Sequence, residues 1–449
     1  MNRKLIFIIF VALLTSEFSN RAISQQKLAD SVRMEFLHAW NGYKQFAWGH
    51  DALKPLSRKS HDWYGNSLLM TPIDAFDLML MMGISKEANE TKQLIFDSLS
   101  FNMNIEVQSF EITIRLLGGL LTAYQMDGDK RFITLAEDLG RRLLPVYNSR
   151  TGMPYRFVNL QSGKIRDSLN NPAEIGTALI EFGTLSKLTG NHIYYKKAKD
   201  ALVALYARRS KIGLVGELIN VETGEWVSKT SHIGGGIDSY YEYLLKSWLL
   251  FGDQDCRKMA EESMKAVDLY IADTTHGTLW YGQVDMNTGK RIGTTFGSLE
   301  SFFPALLCLS NDVKKAAILG ESCFKMWKLL GIGPEEIDFS TMNVTARQYY
   351  LRPEIIESAY YLYHCTGDLH YRKMGEIYFN DIVKYCRTDA AYAMLKDVTT
   401  KEKSDRMESF FFAETLKYLY LLFATPETLR FDDVIFNTEA HPIRKTWSE

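Results

Sequence analysis

The chain has 449 residues and a formal net charge of −2. That balance removes any electrostatic case for binding nucleic acid or an anionic membrane surface. The length exceeds the usual single-core size, so two domains or one large repeat-built domain is expected. Aromatic residues make up 13% of the chain; such rings suit sugar stacking, but most belong in the core.

The N-terminus reads as an export signal. Arg3 and Lys4 precede an apolar run from Leu5 to Leu14, and Ala22-Ile23-Ser24 offers a small-x-small site before Gln25. A membrane anchor is the competing reading, but the run is too short to span a bilayer comfortably. Residues 1–24 are thus expected to be a signal peptide. No later segment is apolar enough to cross a membrane. The mature protein, 25–449, is expected to be secreted or periplasmic, or in the ER lumen of a eukaryote. Five cysteines are present, and none forms a CxxC pair. A metal cluster or redox dithiol is therefore not expected; one disulfide or buried free thiols both fit.

From residue 83 onward a unit recurs: an apolar helical run, a turn, then an amphipathic run. Its turns fall at Gly128, Gly190, Gly252 and Gly367, with weaker relatives at Gly83, Asn311 and Pro426. The spacing of about 45 to 62 residues suits helix-pair repeats. The turn glycine ends one helix in a left-handed conformation, and a following Asp or Asn caps the next. Neither helix of a pair can bury its apolar stripe alone. Seven units predict an all-α (α/α)7 barrel, with an open helical solenoid as the alternative. The segments MPYRFVNLQSGKI, GLVGELINVETGEWV and GTLWYGQVDMNTGKRIGT alternate in hydropathy around Gly or Asn turns, so short β-hairpins are expected at one rim. No linker divides the chain, and 25–449 reads as one domain.

Several carboxylates stand where a surface helix would not place them. In SFEITIRLLGGLL, Glu111 and Arg115 share a helix face. Asp238 follows three glycines. Arg352, Glu354 and Glu357 flank Pro353 at a helix start. Glu408 and Glu414 lie in a strongly apolar stretch, and FNTEAHP carries Thr438, Glu439 and His441. Each alone fits a helix cap or a core ion pair; Glu242 and Lys246 read as an ordinary i, i+4 pair. Together, a lumen lined with acids, arginines and aromatics reads as a sugar site. Glycoside hydrolysis needs one carboxylic acid to protonate the leaving oxygen and one carboxylate to activate water or attack.

The segments HAWNGYKQFAWGHDALKP, TPIDAFDLMLMMG, FEITIRLLGGLLTAY, GIDSYYEYLLKSW, LRPEIIESAYYLYHCTGD, RMESFFFAETLKYLYLLF and VIFNTEAHP resemble, in order, the signature blocks of glycoside hydrolase family 47, the class I α-mannosidases. The resemblance runs from about residue 32 to 442. GLVGELINVETGEWVSKTSHIGGGIDSYYEYLLK and GSLESFFPALL are most similar to the subgroup of ER degradation-enhancing α-mannosidase-like proteins. The resemblance implies an inverting, calcium-dependent exo-α-1,2-mannosidase acting on mannose-containing glycans, with a C-terminal hairpin plugging the barrel lumen. Glu111 resembles the general acid, acting through a water, and Glu354 the general base. Asp238 resembles the third acid. Thr438 resembles the protein's direct calcium ligand. Glu174, Glu357, Glu414 and Glu439 match acids around the substrate and the metal's waters. Phe410 matches the aromatic beneath the mannose, and Arg115 and Arg352 match arginines beside the acids.

There are departures. Gly236 stands where ER-type trimming enzymes carry arginine, and Ser298 replaces a histidine near the site. Their cysteine pair is half kept, with Cys323 matched and Ser301 opposite; a Cys308–Cys323 bond is conceivable. Two other classes compete. One is a non-catalytic mannose-glycan-binding protein of the degradation-enhancing type. The other is an (α/α)6 glycosidase, with six helix pairs and no role for FNTEAHP.

Overall fold

The computed structural model describes residues 26–275 and 277–446. The expected signal peptide, 1–24, lies outside the described residues. The helices in chain order are α1 (26–47), α2 (Met70–Met82), α3 (Ser85–Ser98), α4 (Ser109–Ile112), α5 (Gly118–Asp127), α6 (Lys130–Leu143), α7 (Pro172–Gly176) and α8 (Leu179–Thr189). They continue with α9 (Ile193–Tyr206), α10 (Asp238–Phe251), α11 (Gln254–Tyr270), α12 (Phe303–Leu309), α13 (Val313–Lys328), α14 (Glu354–Thr366), α15 (Leu369–Cys386) and α16 (Leu416–Phe423). A π turn, Thr113–Leu117, joins α4 to α5, and another, Phe411–Thr415, leads into α16.

Among the described residues, α2, α5, α8, α10, α12, α14 and α16 each touch the next, and the π turn before α16 returns to α2. The ring is closed, which excludes both the open solenoid and the six-pair toroid. Six inner helices are backed by the helix that follows: α3, α6, α9, α11, α13 and α15. Sequence explains the two layers. Outer α6 buries one stripe, Phe132, Ala136, Leu139 and Leu143, and shows its charges to solvent. Inner α2 is buried on nearly every side. The turns between partners follow the expected chemistry. Gly128, Gly252 and Gly367 close inner helices at φ 86°, 70° and 69°. Asp129, Asp253 and Asp368 then cap the outer helices, each accepting from a backbone N–H in the first turn. Asn311 takes the left-handed conformation in place of glycine, at φ 67°.

The seventh unit departs from the expected order. After α16 the chain passes Pro426 without forming an outer helix and enters a hairpin of Val434–Phe436 with Pro442–Arg444. The seventh outer position is filled by α1, whose Phe36 and Trp40 rings meet Phe412 edge-on at 5.3 and 5.9 Å. The first and last segments thus complete one pair, leaving the C-terminus free to turn back into the lumen.

The expected rim hairpins form. Strands Glu106–Gln108, Leu169–Asn170, Thr230–Ser231 and Thr295–Gly297 each belong to a three-stranded antiparallel sheet, and each leads directly toward an inner helix. This rim therefore carries the N-termini of the inner helices. The C-terminal hairpin fills the lumen beneath it. Room for its tip comes from α5: a Cβ on Gly118 would stand 2.5 Å from Asn437 Nδ2, and one on Gly119 3.2 Å from the His441 ring. All five cysteines are free thiols, so no Cys308–Cys323 bond forms. Cys308 on α12 instead neighbours Cys365 on α14, and Cys323 neighbours Ser301. Among the described residues no helix is long and apolar enough to cross a membrane.

Candidate active site

Every residue to which the family resemblance gives a catalytic, substrate or metal role lines one cavity of about 480 Å³ at the hairpin rim; Ser298, Ser301 and Cys323 do not. Glu111, Arg115, Glu174, Asp238, Arg352, Glu354, Glu357, Phe410, Glu414, Thr438 and Glu439 all converge there. The fold explains why: all the acids but Glu439 sit in the first turns of inner helices or their lead-ins, whose N-termini share the rim, and Glu439 reaches them on the tip of the C-terminal hairpin.

On one wall, Glu111 lies in the first turn of α4, and Arg115 Nε donates to its Oε2 at 2.9 Å. Arg115 is buried, bonds Glu439 through Nη1, and stands 3.6 Å from Asp74. Its guanidinium lies 5.1 Å from the Trp63 ring centre and 5.8 Å from that of Phe410. Phe410 also has the Arg352 guanidinium near its ring, 5.9 Å from the centre. Arg352 forks onto Glu335 at 2.7 and 3.1 Å and reaches Glu354 at 4.0 Å.

Glu354 opens α14 directly after Pro353, and its Oε2 is buried without a hydrogen-bond partner. Burial pushes its carboxyl up to about 7; Arg352 opposes this, while Glu335 and Asp238 add to it. Asp238 opens α10 after a glycine turn with Gly236 at φ 88°, and accepts from Ser239 N–H at 2.7 Å. Burial also raises Asp238 to about 7, with the Glu242 and Glu300 carboxylates contributing. With no side chain at 236, the wall between Asn171 and Asp238 stays open.

A second ring of acids surrounds the hairpin tip. Burial raises Glu357 to about 8, and it accepts from Tyr418 Oη at 3.3 Å. Glu414 is held well above the carboxylate range by burial and by Glu439. Glu439 is raised by burial and Asp74 despite its bond to Arg115. Thr438, at the tip, donates its N–H to Tyr243 Oη at 3.3 Å, and Tyr243 donates to Glu181 at 2.6 Å. Among the described residues no three His, Cys, Asp or Glu side chains stand close enough to chelate a metal by themselves. A cation at Thr438 would therefore keep waters, and the surrounding carboxylates would accept their hydrogen bonds. Hydroxyl, carbonyl and carboxylate oxygens are hard donors.

Some lining residues were not legible as such. Glu174 is gripped by Arg156 at 3.0 Å, Asn171 at 3.0 Å and Gln108 at 2.8 Å, and all three also line the cavity. Glu242 and Lys246, read from sequence as an ordinary i, i+4 pair, do pair, but they are only 4% and 2% exposed, and Glu242 lines the cavity. Their apolar surroundings, YYEYLLKSW, carried the same signal that singled out Glu414. Glu408 is not among the lining residues; it pairs with Arg406. His441 lies between Asp77 and Asp74 and is fully buried.

The family model for Glycosyl hydrolase family 47 matches residues 35–445. This chain belongs to glycosyl hydrolase family 47. It is a glycoside hydrolase with the family's toroid of helix pairs. It is 37% identical to alpha-mannosidase I MNS4 of Arabidopsis thaliana, over 97% of this chain and 74% of that protein. It is also 37% identical to the human ER degradation-enhancing alpha-mannosidase-like protein 2, over 92% of this chain and 77% of that one. The solved structure of the alpha-1,2-mannosidase from Trichoderma reesei superposes with a TM-score of 0.85 at 28% identity, covering 93% of this chain and 99% of that one.

Proposed function

We propose that this family 47 enzyme is a calcium-dependent exo-α-1,2-mannosidase that hydrolyses high-mannose-type glycans with inversion. The observation that carries the reading is the convergence of Glu111, Asp238, Glu354 and Thr438 on one cavity. The hairpin fills the lumen below, so a glycan enters from the rim and presents a chain end. The similarity to the Trichoderma reesei alpha-1,2-mannosidase supports the linkage. The export signal read at the N-terminus would bring the enzyme to its substrate outside the cytoplasm.

In this mechanism Phe410 stacks beneath the terminal mannose, with Arg115 and Arg352 fixing the ring from either side. Glu354, ionised, takes a proton from the water that attacks C1. Its raised proton affinity suits a base working near neutral pH. Glu111, oriented by Arg115, sends a proton through a water to the leaving oxygen. Asp238 lines the same cavity and acts electrostatically on Glu354. Thr438 would hold calcium through its hydroxyl and carbonyl oxygens, with Glu357, Glu414 and Glu439 anchoring its waters. The ion, when bound, supplies a hard Lewis acid for vicinal sugar hydroxyls.

The test is Glu354→Gln assayed on an α-1,2-linked mannobiose. The amide copies the neutral acid in shape, so folding is retained and kcat falls by about 10²–10⁴-fold. Unchanged turnover would remove Glu354 as the base.

A further inference from the structure

A charged cluster in the lumen takes no part in the chemistry above. On α2, Asp74 and Asp77 face inward. From α16, Lys417 Nζ donates to Asp77 Oδ2 at 2.8 Å and to the Ala440 carbonyl at 2.7 Å. His441 bridges the two aspartates, Nδ1 to Asp77 at 2.9 Å and Nε2 to Asp74 at 3.3 Å. Asp74, Asp77, Lys417, Ala440 and His441 are each at most 1% exposed.

The cluster acts on the hairpin tip. Ala440 is held at φ 57°, a conformation that a residue with a Cβ keeps only when its surroundings impose it. Its carbonyl is the group Lys417 grips. The tip is otherwise organised by Asn437, whose Oδ1 accepts from the N–H groups of Glu439 and His441 at 3.0 and 2.8 Å. On its other side Asn437 Nδ2 donates to the Ile114 carbonyl and to Glu181, each at 2.8 Å. A buried lysine–carboxylate pair is a weak source of net stability, and its best-attested use is fixing register. Here the register being fixed is that of Thr438 and Glu439.

We propose that Asp77 and Lys417 are positioning residues that lock the hairpin tip, so that the oxygens of Thr438 and Glu439 are aligned before the cation arrives. The proposal rests on the calcium site assigned to this chain under its proposed function. Calcium affinity should then depend on Lys417, although Lys417 itself does not ligate the ion.

The experiment is a calorimetric calcium titration of the metal-stripped full chain, with thermal unfolding measured alongside. It compares wild type, Lys417→Met, and the double variant Asp77→Leu with Lys417→Met. The double variant removes both charges together, so neither is left buried without its partner, as Asp77 is in the single variant. The expected result is a calcium affinity lowered by about 10–100-fold, the range for residues that orient a metal's ligands. Glycan hydrolysis should return when calcium is raised to saturation. A folded variant that binds calcium as tightly as wild type would overturn the proposal. So would an activity loss that excess calcium does not restore. Wild type that binds no calcium would bring down the calcium site itself, and the proposal with it.

Discussion

The guanidinium of Arg115 bonds the carboxylate of Glu439, 324 residues further along the chain, while its Nε holds Glu111 at 2.9 Å. The proposed acid is thus oriented by an arginine that the C-terminal hairpin helps to seat. Removing the arginine leaves Glu111, Glu439 and Asp74 without their shared cation. Arg115→Met should lower stability by about 3–5 kcal/mol in urea unfolding, the cost of stranding buried charge. An unchanged midpoint would show that the three carboxylates do not depend on it.

The raised carboxyls make a directional claim about pH. Asp238, Glu181 and Glu354 are pushed to about 7 and Glu357 to about 8, against ordinary values near 4. From about pH 4.5 upward the unfolded chain has lost these protons while the folded chain keeps them, so stability falls as pH rises and levels off above about pH 8. In EDTA the melting temperature should be higher at pH 5.5 than at pH 8. Calcium competes with the same protons, so the gain in melting temperature on adding calcium should grow over that interval. A calcium gain that shrinks with rising pH would contradict the placement of these acids around the ion.

Thorough chelation should abolish glycan hydrolysis, and added calcium should restore it. At a free calcium concentration about 100 times Kd, folding should gain about 2.7 kcal/mol. Full turnover in the chelated enzyme would remove the metal's role.

Where α5 meets the hairpin tip there is no spare volume. Gly118→Ala places a Cβ 2.5 Å from Asn437 Nδ2, so either helix or hairpin must shift. The expected cost is about 1–3 kcal/mol, as for other overpacked cores, read by denaturant unfolding. Unaltered stability with unaltered calcium binding would mean that the hairpin sits more loosely than this packing requires.

The sequence exposed what short-range rules control. Turn residues such as Gly128 and Asn311 announce themselves because a left-handed backbone admits few residue types. Glu111, Glu354 and Glu414 stood out because charge in an apolar run needs a partner or a task. Their individual roles came with the family resemblance and not from spacing. Pairings between distant segments were hidden. Arg156 meets Glu174, Arg352 meets Glu335, and Lys417 meets Asp77, at separations of 18, 17 and 340 residues. No local pattern marks such partners. The pair Glu242–Lys246 forms as its i, i+4 spacing indicates, but that spacing is common on surfaces, and only the apolar flanks mark the pair as buried. Pro426 misled because its turn resembles the others, whereas the helix that completes its pair lies at the opposite end of the chain.

The most direct test follows the first-formed sugar. With calcium present, the enzyme is mixed with a defined α-1,2-linked mannoside and the anomeric protons are recorded by NMR before mutarotation. Glu354 delivering water opposite the departing oxygen releases β-mannose first, with the α anomer growing in later. Mannose released first as the α anomer would contradict the account.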